Sequence, residues 1–408
     1  MKLRTWPVRL VLGCIAAGAL VYGFTHGKLS EDEAEPPAPP ASLSIWVYSK
    51  GWEDMVHAFG QRYPHIDVQI RSFRSYEQLY TELLASISAG AAPQLAEIHS
   101  FYGIAQLAAT GAALPVGNVL TAGKPAFLPA FSAAFRYRDE DWAVPFGGSV
   151  PVLYYREEPF KRLAGRAPAL STWEEVRQTL SLVKEPPGEE VSKGYGTMTV
   201  DKELPWYLAS LSYAPKESGG PAAERTRSAL ELWRNLTHES KLMKPLQHDR
   251  AASDFINGKA GMYVGSSDKL PTIERYIGGK FSFDLAKLPA WKQEALLPGG
   301  VHGLVALKSD PERLKAAQSF VQEITAPEAQ SALWNTVGLI PARADVIGKL
   351  EEESALSERL RRILSWLPSL AGRAPRDDDY ERWKRTEHML EQIELNPQEP
   401  VEDVGMLY

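Results

Sequence analysis

The stretch that decides the fold is Trp142-Ala-Val-Pro-Phe-Gly-Gly-Ser-Val-Pro-Val-Leu-Tyr-Tyr-Arg156. Pro145 and Pro151 forbid a helix through its middle, because each lacks an N–H and restrains the residue before it. Gly147 and Gly148 let the backbone pass close to another group, and Ser149 sets a hydroxyl beside them. Val150 to Tyr155 then reads as a short apolar strand, rich in β-branched and aromatic residues. Two readings fit these residues: a chain crossing between two lobes beside a cleft, or an ordinary buried strand after a surface turn.

Upstream, Leu43 to Tyr48 is a strand candidate, followed by a helix with Trp52, Met55, Val56 and Phe59 at helical spacing. Ile66-Asp-Val-Gln-Ile70 alternates as a half-buried strand. Tyr76, Leu79, Tyr80, Leu83, Leu84 and Ile87 fall on one helical stripe, and Gly90 is placed to end it. Leu95 to Ile98 is a further strand, and a short helix closes at Gly111. This alternation implies an α/β unit with a largely parallel sheet. Downstream, Ser171-Thr-Trp-Glu174 has the pattern of a capping box. Leu204 to Leu211 contains Pro205-Trp206-Tyr207, a helix is expected from about 221 to 239, and Ala260 to Val264 is a strand ending at Gly265-Ser266-Ser267. Pro298-Gly-Gly300 opens a turn before the strand Gly303 to Leu307, Asp310-Pro-Glu312 starts a helix, and residues 351–395 read as helical.

The 408 residues suffice for two to three domains or one large two-lobed unit. A hydrophobic fraction of 44% with 24% charged residues gives ample core material, and the net charge of −6 argues against general nucleic-acid binding. The one cysteine is Cys14, so the body carries no disulfide and no cysteine-ligated metal. Lys2, Arg4 and Arg9 precede an apolar run from Leu10 to Phe24, the charge order of an export signal or an inside-to-outside anchor. Val11-Leu12-Gly13-Cys14 has the form of a lipobox, with Cys14 as the lipidation candidate. An uncleaved signal-anchor, lipoprotein processing and simple secretion remain as alternatives for residues 1–25. Residues 26–41, acidic and then proline-rich, are expected to form an extended spacer that would hold the body away from a membrane.

Several segments match a known family in order: Phe59-x4-Pro64-x-Ile66-x-Val68, Ser88-Ala-Gly90-x-x-Pro93, and Val144-Pro-Phe-x-x-Ser149-x-Pro-Val-Leu-Tyr-Tyr155. Thr172-Trp173, Phe255-x-Asn-Gly258-x-x-x-Met262 and Gly338-x-x-Pro341 continue the series. The body resembles the family 1 extracellular solute-binding proteins, receptors that feed ABC importers, and is nearest in pattern to those for glycerol 3-phosphate and maltose-type sugars. The resemblance implies a two-lobed α/β fold of the type II periplasmic-binding-protein kind, each lobe a mixed, mostly parallel sheet flanked by helices, with a hinge between. Residues 42–149 with 266–312 are expected to build one lobe, 150–265 with 313–395 the other, and 396–408 a tail.

Carried over residue by residue, the resemblance implies ligand contacts from Tyr76 in Tyr-Glu-Gln, from Ser149 and Ser266, and from Gly300 of the Gly-Gly pair. An acidic ligand residue of the family is Ser100 here, beside His99, a Tyr is Leu339, and the family's C-terminal arginine has no evident counterpart. Aromatic faces pack on sugar C–H faces, which makes Trp206, Trp334 and Tyr76 candidate platforms. The expected partners are a sugar, polyol or glycerophosphodiester, the membrane subunits of an importer, and the membrane through the N-terminus, with no nucleic acid and no cofactor. The chain is expected to act as a monomer on the outer face of the cytoplasmic membrane. A glycosidase is the rival class, with Asp139-Glu-Asp141 and Glu157-Glu158 as its carboxylates, but no catalytic motif accompanies them. A tethered ligand sensor without a transport role is a third reading.

Overall fold

The computed structural model describes residues 41–164, 168–184, 195–202, 222–244, 248–290, 297–354, 356–372 and 374–400. The expectations for residues 1–40, with Cys14, and for Leu204 to Leu211, with Trp206, lie outside them. Eleven of the described strands build two sheets. The first contains β1 (Ala41–Val47), β2 (Ile66–Ser72), β3 (Leu95–His99), β4 (Ala113–Leu114), β5 (Val144–Ser149), β10 (Gly300–Leu307) and β11 (Ile340–Pro341), in the order β11-β5-β10-β3-β1-β2, with β4 also on β10. The second contains β6 (Pro151–Arg156), β7 (Met198–Val200), β8 (Met262–Ser266) and β9 (Phe283–Lys287), in the order β9-β6-β8-β7. In the first sheet β1 runs parallel to β2 and β3, while β10 is antiparallel to β3 and β5. In the second, β6 is antiparallel to both neighbours.

The stretch 142–156 therefore supplies one central strand to each sheet, with Val150 between them. Gly147 to Ser149 do not form a turn: they continue a fully buried strand paired with both β10 and β11. The two prolines fit for local reasons. Pro145 lies opposite the register shift at His302/Gly303, and Pro151 is the first residue of its strand, the positions where a missing ladder N–H is tolerated. Gly148 answers to close approach: a Cβ there would stand 2.3 Å from the Phe131 ring and 2.9 Å from the Gly300 carbonyl oxygen.

The first sheet is covered on one face by α1 (Trp52–Arg62), whose Trp52 meets Phe146 edge-on at 5.1 Å and whose Phe59 meets Phe320 at 5.1 Å. Tyr76, Leu79, Tyr80 and Leu83 form the buried stripe of α2 (Tyr76–Ser88). Ser75 caps its start by accepting from the Gln78 amide, and Gly90 ends it at φ 67°. After α3 (Ile104–Ala109) the chain reaches the second sheet, on which α4 (Trp173–Lys184) and α5 (Ala222–Arg234) bury Trp173 and Trp233 in the cluster that holds Tyr154 and Met198. The capping box of α4 is shifted by one residue from the sequence expectation. Thr172 Oγ1 accepts from the Glu175 amide and Glu175 returns to the amides of Ser171 and Thr172, while Glu174 binds Arg177.

Two strands and two helices depart from the expected lobe boundaries: β9, expected in the first lobe, pairs with β6 of the second sheet, and β11, expected in the second, pairs with β5 of the first. On α6 (Pro311–Ile324) and α7 (Pro327–Val337), Phe320, Val321 and Leu333 share a buried cluster with Leu43, Ile45 and Phe146 of the first sheet. They follow β10 in succession and bury apolar residues in the cluster of the first sheet. The last helix, α8 (Asp379–Leu395), is fastened at both ends. Tyr380 and Trp383 lie 4.9 and 4.6 Å from Tyr80 and Tyr102, and Lys384 pairs with Glu77 on α2. Farther along, Glu394 pairs with Lys202 at 2.7 Å and His238 Nε2 lies 2.7 Å from the Ile393 carbonyl oxygen.

Candidate functional site

Strands of the two sheets meet at Val150. Ser149 stands opposite Gly300 in register, and Ser266 opposite Pro151. The Val150 amide donates to Ser267 Oγ at 3.1 Å, and the Ser267 amide donates back to the Val150 carbonyl at 2.8 Å. Three of the residues selected from sequence, Ser149, Ser266 and Gly300, are thus gathered around one crossing. Ser149 is fully buried and Ser266 nearly so, yet neither Oγ has a hydrogen-bond partner among the described residues. A buried hydroxyl left unsatisfied costs roughly 1–3 kcal/mol. Two such groups on strands of different sheets are what an incoming polar ligand would satisfy. Ser100 differs: its Oγ donates to the Gly299 carbonyl at 3.3 Å and accepts from the Val301 amide at 3.1 Å, so it is engaged in holding the start of β10.

Tyr76 is buried beneath Tyr48, whose ring lies 4.2 Å away. Its hydroxyl donates to Glu97 Oε1 at 2.6 Å and lies 2.6 Å from His302 Nδ1, which is 3.0 Å from the same carboxylate oxygen. Glu97 Oε2 also accepts from the Tyr48 and Ser49 amides and the Ser49 hydroxyl, each at 2.9 Å. Burial pushes Glu97 up, but the His302 hydrogen bond and charge, with those from Tyr76 and Ser49, bring its carboxyl below the usual glutamate range. His99, stacked on Phe101 and edge-on to His302, is fully buried. That burial, and next the neighbouring His302, hold it well below the ordinary histidine value, so it is neutral. Trp334 is buried on α7, and Leu339 packs beside Gly147.

Sequence reasoning missed three residues. Glu97 was signalled by a lone carboxylate inside the apolar strand Leu-Ala-Glu-Ile-His; His302 sits in what was read as a turn edge. Arg382 lies in a charged run, Asp377-Asp-Asp-Tyr-Glu-Arg382, that carries no motif. It is 6% exposed and pairs with Asp378 at 2.7 Å, but its Nη1 finds no hydrogen-bond partner among the described residues. It precedes Trp383, whose ring lies 4.6 Å from that of Tyr102. Among the described residues no group of three or more His, Cys, Asp or Glu side chains converges to hold a metal.

The model of the bacterial extracellular solute-binding proteins matches residues 54–356. The sn-glycerol-3-phosphate-binding periplasmic protein UgpB of Yersinia pestis is 24% identical over 322 residues, covering 71% of this chain and 70% of its own. An ABC transporter solute-binding protein of Thermotoga lettingae, solved with α-D-tagatose, superposes with a TM-score of 0.76 at 18% identity, over 90% of this chain and 97% of that one. UgpB of Mycobacterium tuberculosis, solved with glycerophosphocholine, gives a TM-score of 0.68 at 17% identity, over 87% and 100%. The fold is that of the type II periplasmic binding proteins, two α/β lobes joined by crossing strands. On the match of the family model over three quarters of its length, the chain belongs to the bacterial extracellular solute-binding protein family.

Proposed function

We propose that this protein captures a sugar, polyol or glycerophosphodiester between its two lobes and presents it to the membrane subunits of an ABC importer. The observation that carries this reading is the pair of buried hydroxyls at the crossing, Ser149 Oγ and Ser266 Oγ, which have no protein partner among the described residues. The main chain at Gly300 adjoins them, and Arg382 adds a buried guanidinium suited to a phosphoryl oxygen. Trp206, Tyr76 and Trp334 are the proposed aromatic platforms. Hinge bending at Gly148–Pro151 and near Gly265 would close the lobes, since a ligand touching both sides favours the closed form by its differential contacts.

The acidic runs that a glycosidase would draw on have members engaged in ion pairs with lysines. Asp141 pairs with Lys124 at 2.6 Å and Glu157 with Lys161 at 2.8 Å, both at the surface. Among the described residues no helix is long and apolar enough to cross a membrane, so tethering rests on the N-terminal segment. Fractionation of the wild type and Cys14→Ala tests it: free release of both into the medium would remove the tether from the proposal.

Thermal-shift screening against sugars, polyols, glycerol 3-phosphate and glycerophosphocholine identifies the ligand, because a molecule that binds only the folded state raises its stability. Calorimetry should then show Ser149→Ala and Trp206→Ala weakening it about tenfold each, some 1.4 kcal/mol. Small-angle scattering should show a smaller radius of gyration at saturation. An unchanged radius together with wild-type affinity in both variants would place the site elsewhere.

A further inference from the structure

Beside the serine crossing lies a second polar group that nothing above uses. Lys269 ends the 3₁₀ turn Ser267–Lys269 directly after β8, three residues beyond Ser266. Its Nζ donates to Asp201 Oδ2 at 2.6 Å, and the Tyr263 hydroxyl donates to the same oxygen at 3.3 Å. The Asp201 side chain is 4% exposed and that of Lys269 28%, so the carboxylate is dry and the lysine side chain is partly exposed. Burial works against its charge, but Asp201, then Tyr263, Asp268 and Tyr48, hold the ammonium well above the ordinary lysine value. Tyr48 belongs to the other lobe, immediately after β1, where its ring covers Tyr76. The turn that ends at Lys269 is tied to the crossing, where Ser267 exchanges hydrogen bonds with Val150. An ammonium has three protons to donate, and the described residues take one of them, at Asp201.

We propose that Lys269 is a specificity-determining residue of the cleft, donating to an oxygen acceptor of the ligand that Ser266 also reaches, and that Asp201 positions it. The inference rests on the solute-capture reading and deepens it. The acceptor is a sugar hydroxyl or a phosphoryl oxygen. Asp201 does more than orient the ammonium. It cancels its charge, so the pair binds oxygen without drawing anions for their charge alone. Without Asp201 the cation is uncompensated, and phosphate esters gain over neutral sugars.

The test uses the full chain, with maltose, other neutral mono- and disaccharides, glycerol 3-phosphate and glycerophosphocholine as probes in calorimetry and thermal melts. Lys269→Met alone would strand a buried carboxylate, so the informative variant is Lys269→Met/Asp201→Asn, which removes both charges together. It should melt within a few degrees of the wild type and bind its probe at least tenfold more weakly. Wild-type affinity in that variant would make the pair purely structural and overturn the proposal. Should the double variant fail to fold, Lys269→Arg decides: its planar fork moves the donors, so affinity should fall at least threefold at unchanged melting temperature, and unchanged affinity overturns the assignment. Asp201→Asn should raise the affinity ratio of glycerol 3-phosphate to maltose at least tenfold; a constant ratio removes the charge-balancing role. If no probe moves the wild type's melting temperature, solute capture itself fails, and this assignment with it.

Discussion

Two polar groups lie within the first lobe and at its border, and they differ in one respect. In the Tyr76–Glu97–His302 cluster the Glu97 carboxylate is saturated: it accepts from two amides and two hydroxyls and lies 3.0 Å from a histidine nitrogen. At the crossing, Ser149 and Ser266 are as deeply buried and have no hydrogen bonds among the described residues. The contrast separates scaffold from site. A saturated buried network stabilises one geometry and has no hydrogen bond left to offer a ligand, whereas unsatisfied hydroxyls leave the empty protein short of hydrogen bonds that a ligand restores. Tyr76 illustrates the point, because the residue chosen from sequence as a contact has its hydroxyl committed to the scaffold.

The strongest challenge to this contrast is Glu97→Ala, which strands several buried donors at once. We expect a loss of roughly 3–5 kcal/mol in urea-induced unfolding without ligand. A loss under about 1 kcal/mol would mean that the cluster is not a scaffold. Gly148→Ala comes next, at about 1–3 kcal/mol, because the added carbon meets the Phe131 ring and a backbone oxygen. Here the expected readout is a lowered urea midpoint at unchanged slope.

Acidity gives a third expectation, with a definite sign. His99 is held neutral in the fold, its value lowered well below the ordinary one near 6.5 by burial and then by His302. Below that ordinary value the unfolded chain takes up a proton that the folded chain refuses. The stabilisation is complete above about pH 6.5 and is lost as the pH falls, at up to about 1.4 kcal/mol per pH unit. Glu97, lowered more modestly, adds a second loss only below the ordinary glutamate range. Replacing His99 with Asn should flatten the stability profile between pH 6.5 and 5; a slope equal to the wild type's would assign the effect elsewhere. The smallest effect sharpens the comparison from its other side. Ser149→Ala and Ser266→Ala should leave the empty protein's stability unchanged or raise it by up to about 1 kcal/mol, because each removes an unsatisfied hydroxyl. A clear destabilisation of the ligand-free protein would show that the hydroxyls have partners after all.

Much of the architecture was legible locally. The stripe Tyr76–Ile87, the alternation Ile66–Ile70, the Asp310-Pro cap and the helix end at Gly90 all follow from periodicity and backbone chemistry within a few residues, and each is present. Other features were misread for physical reasons. Gly147-Gly148-Ser149 reads as a turn because glycines permit one, but Phe131 and the Gly300 backbone, distant in sequence, require the missing side chain within a strand. Thr172 and Ser171 are equally good caps on paper, and packing of Trp173 against the second lobe's core accompanies the choice of Thr172. Arg382 has charged neighbours in sequence and yet is buried on α8, the helix that docks on Tyr80 and Tyr102 through Tyr380 and Trp383.

By itself, then, the sequence determined the α/β alternation, the two strands of the deciding stretch, and the residue types available for recognition, since these depend on local backbone preference and side-chain period. Only the tertiary structure decided which polar groups are satisfied. Ser149 and Ser100 are alike as hydroxyls, yet one meets the Gly299 carbonyl and the Val301 amide and the other meets neither. Hydrogen bonding acts over about 3 Å, and the atoms within that distance of a buried side chain come from strands some hundred residues apart, brought together by burial of apolar faces.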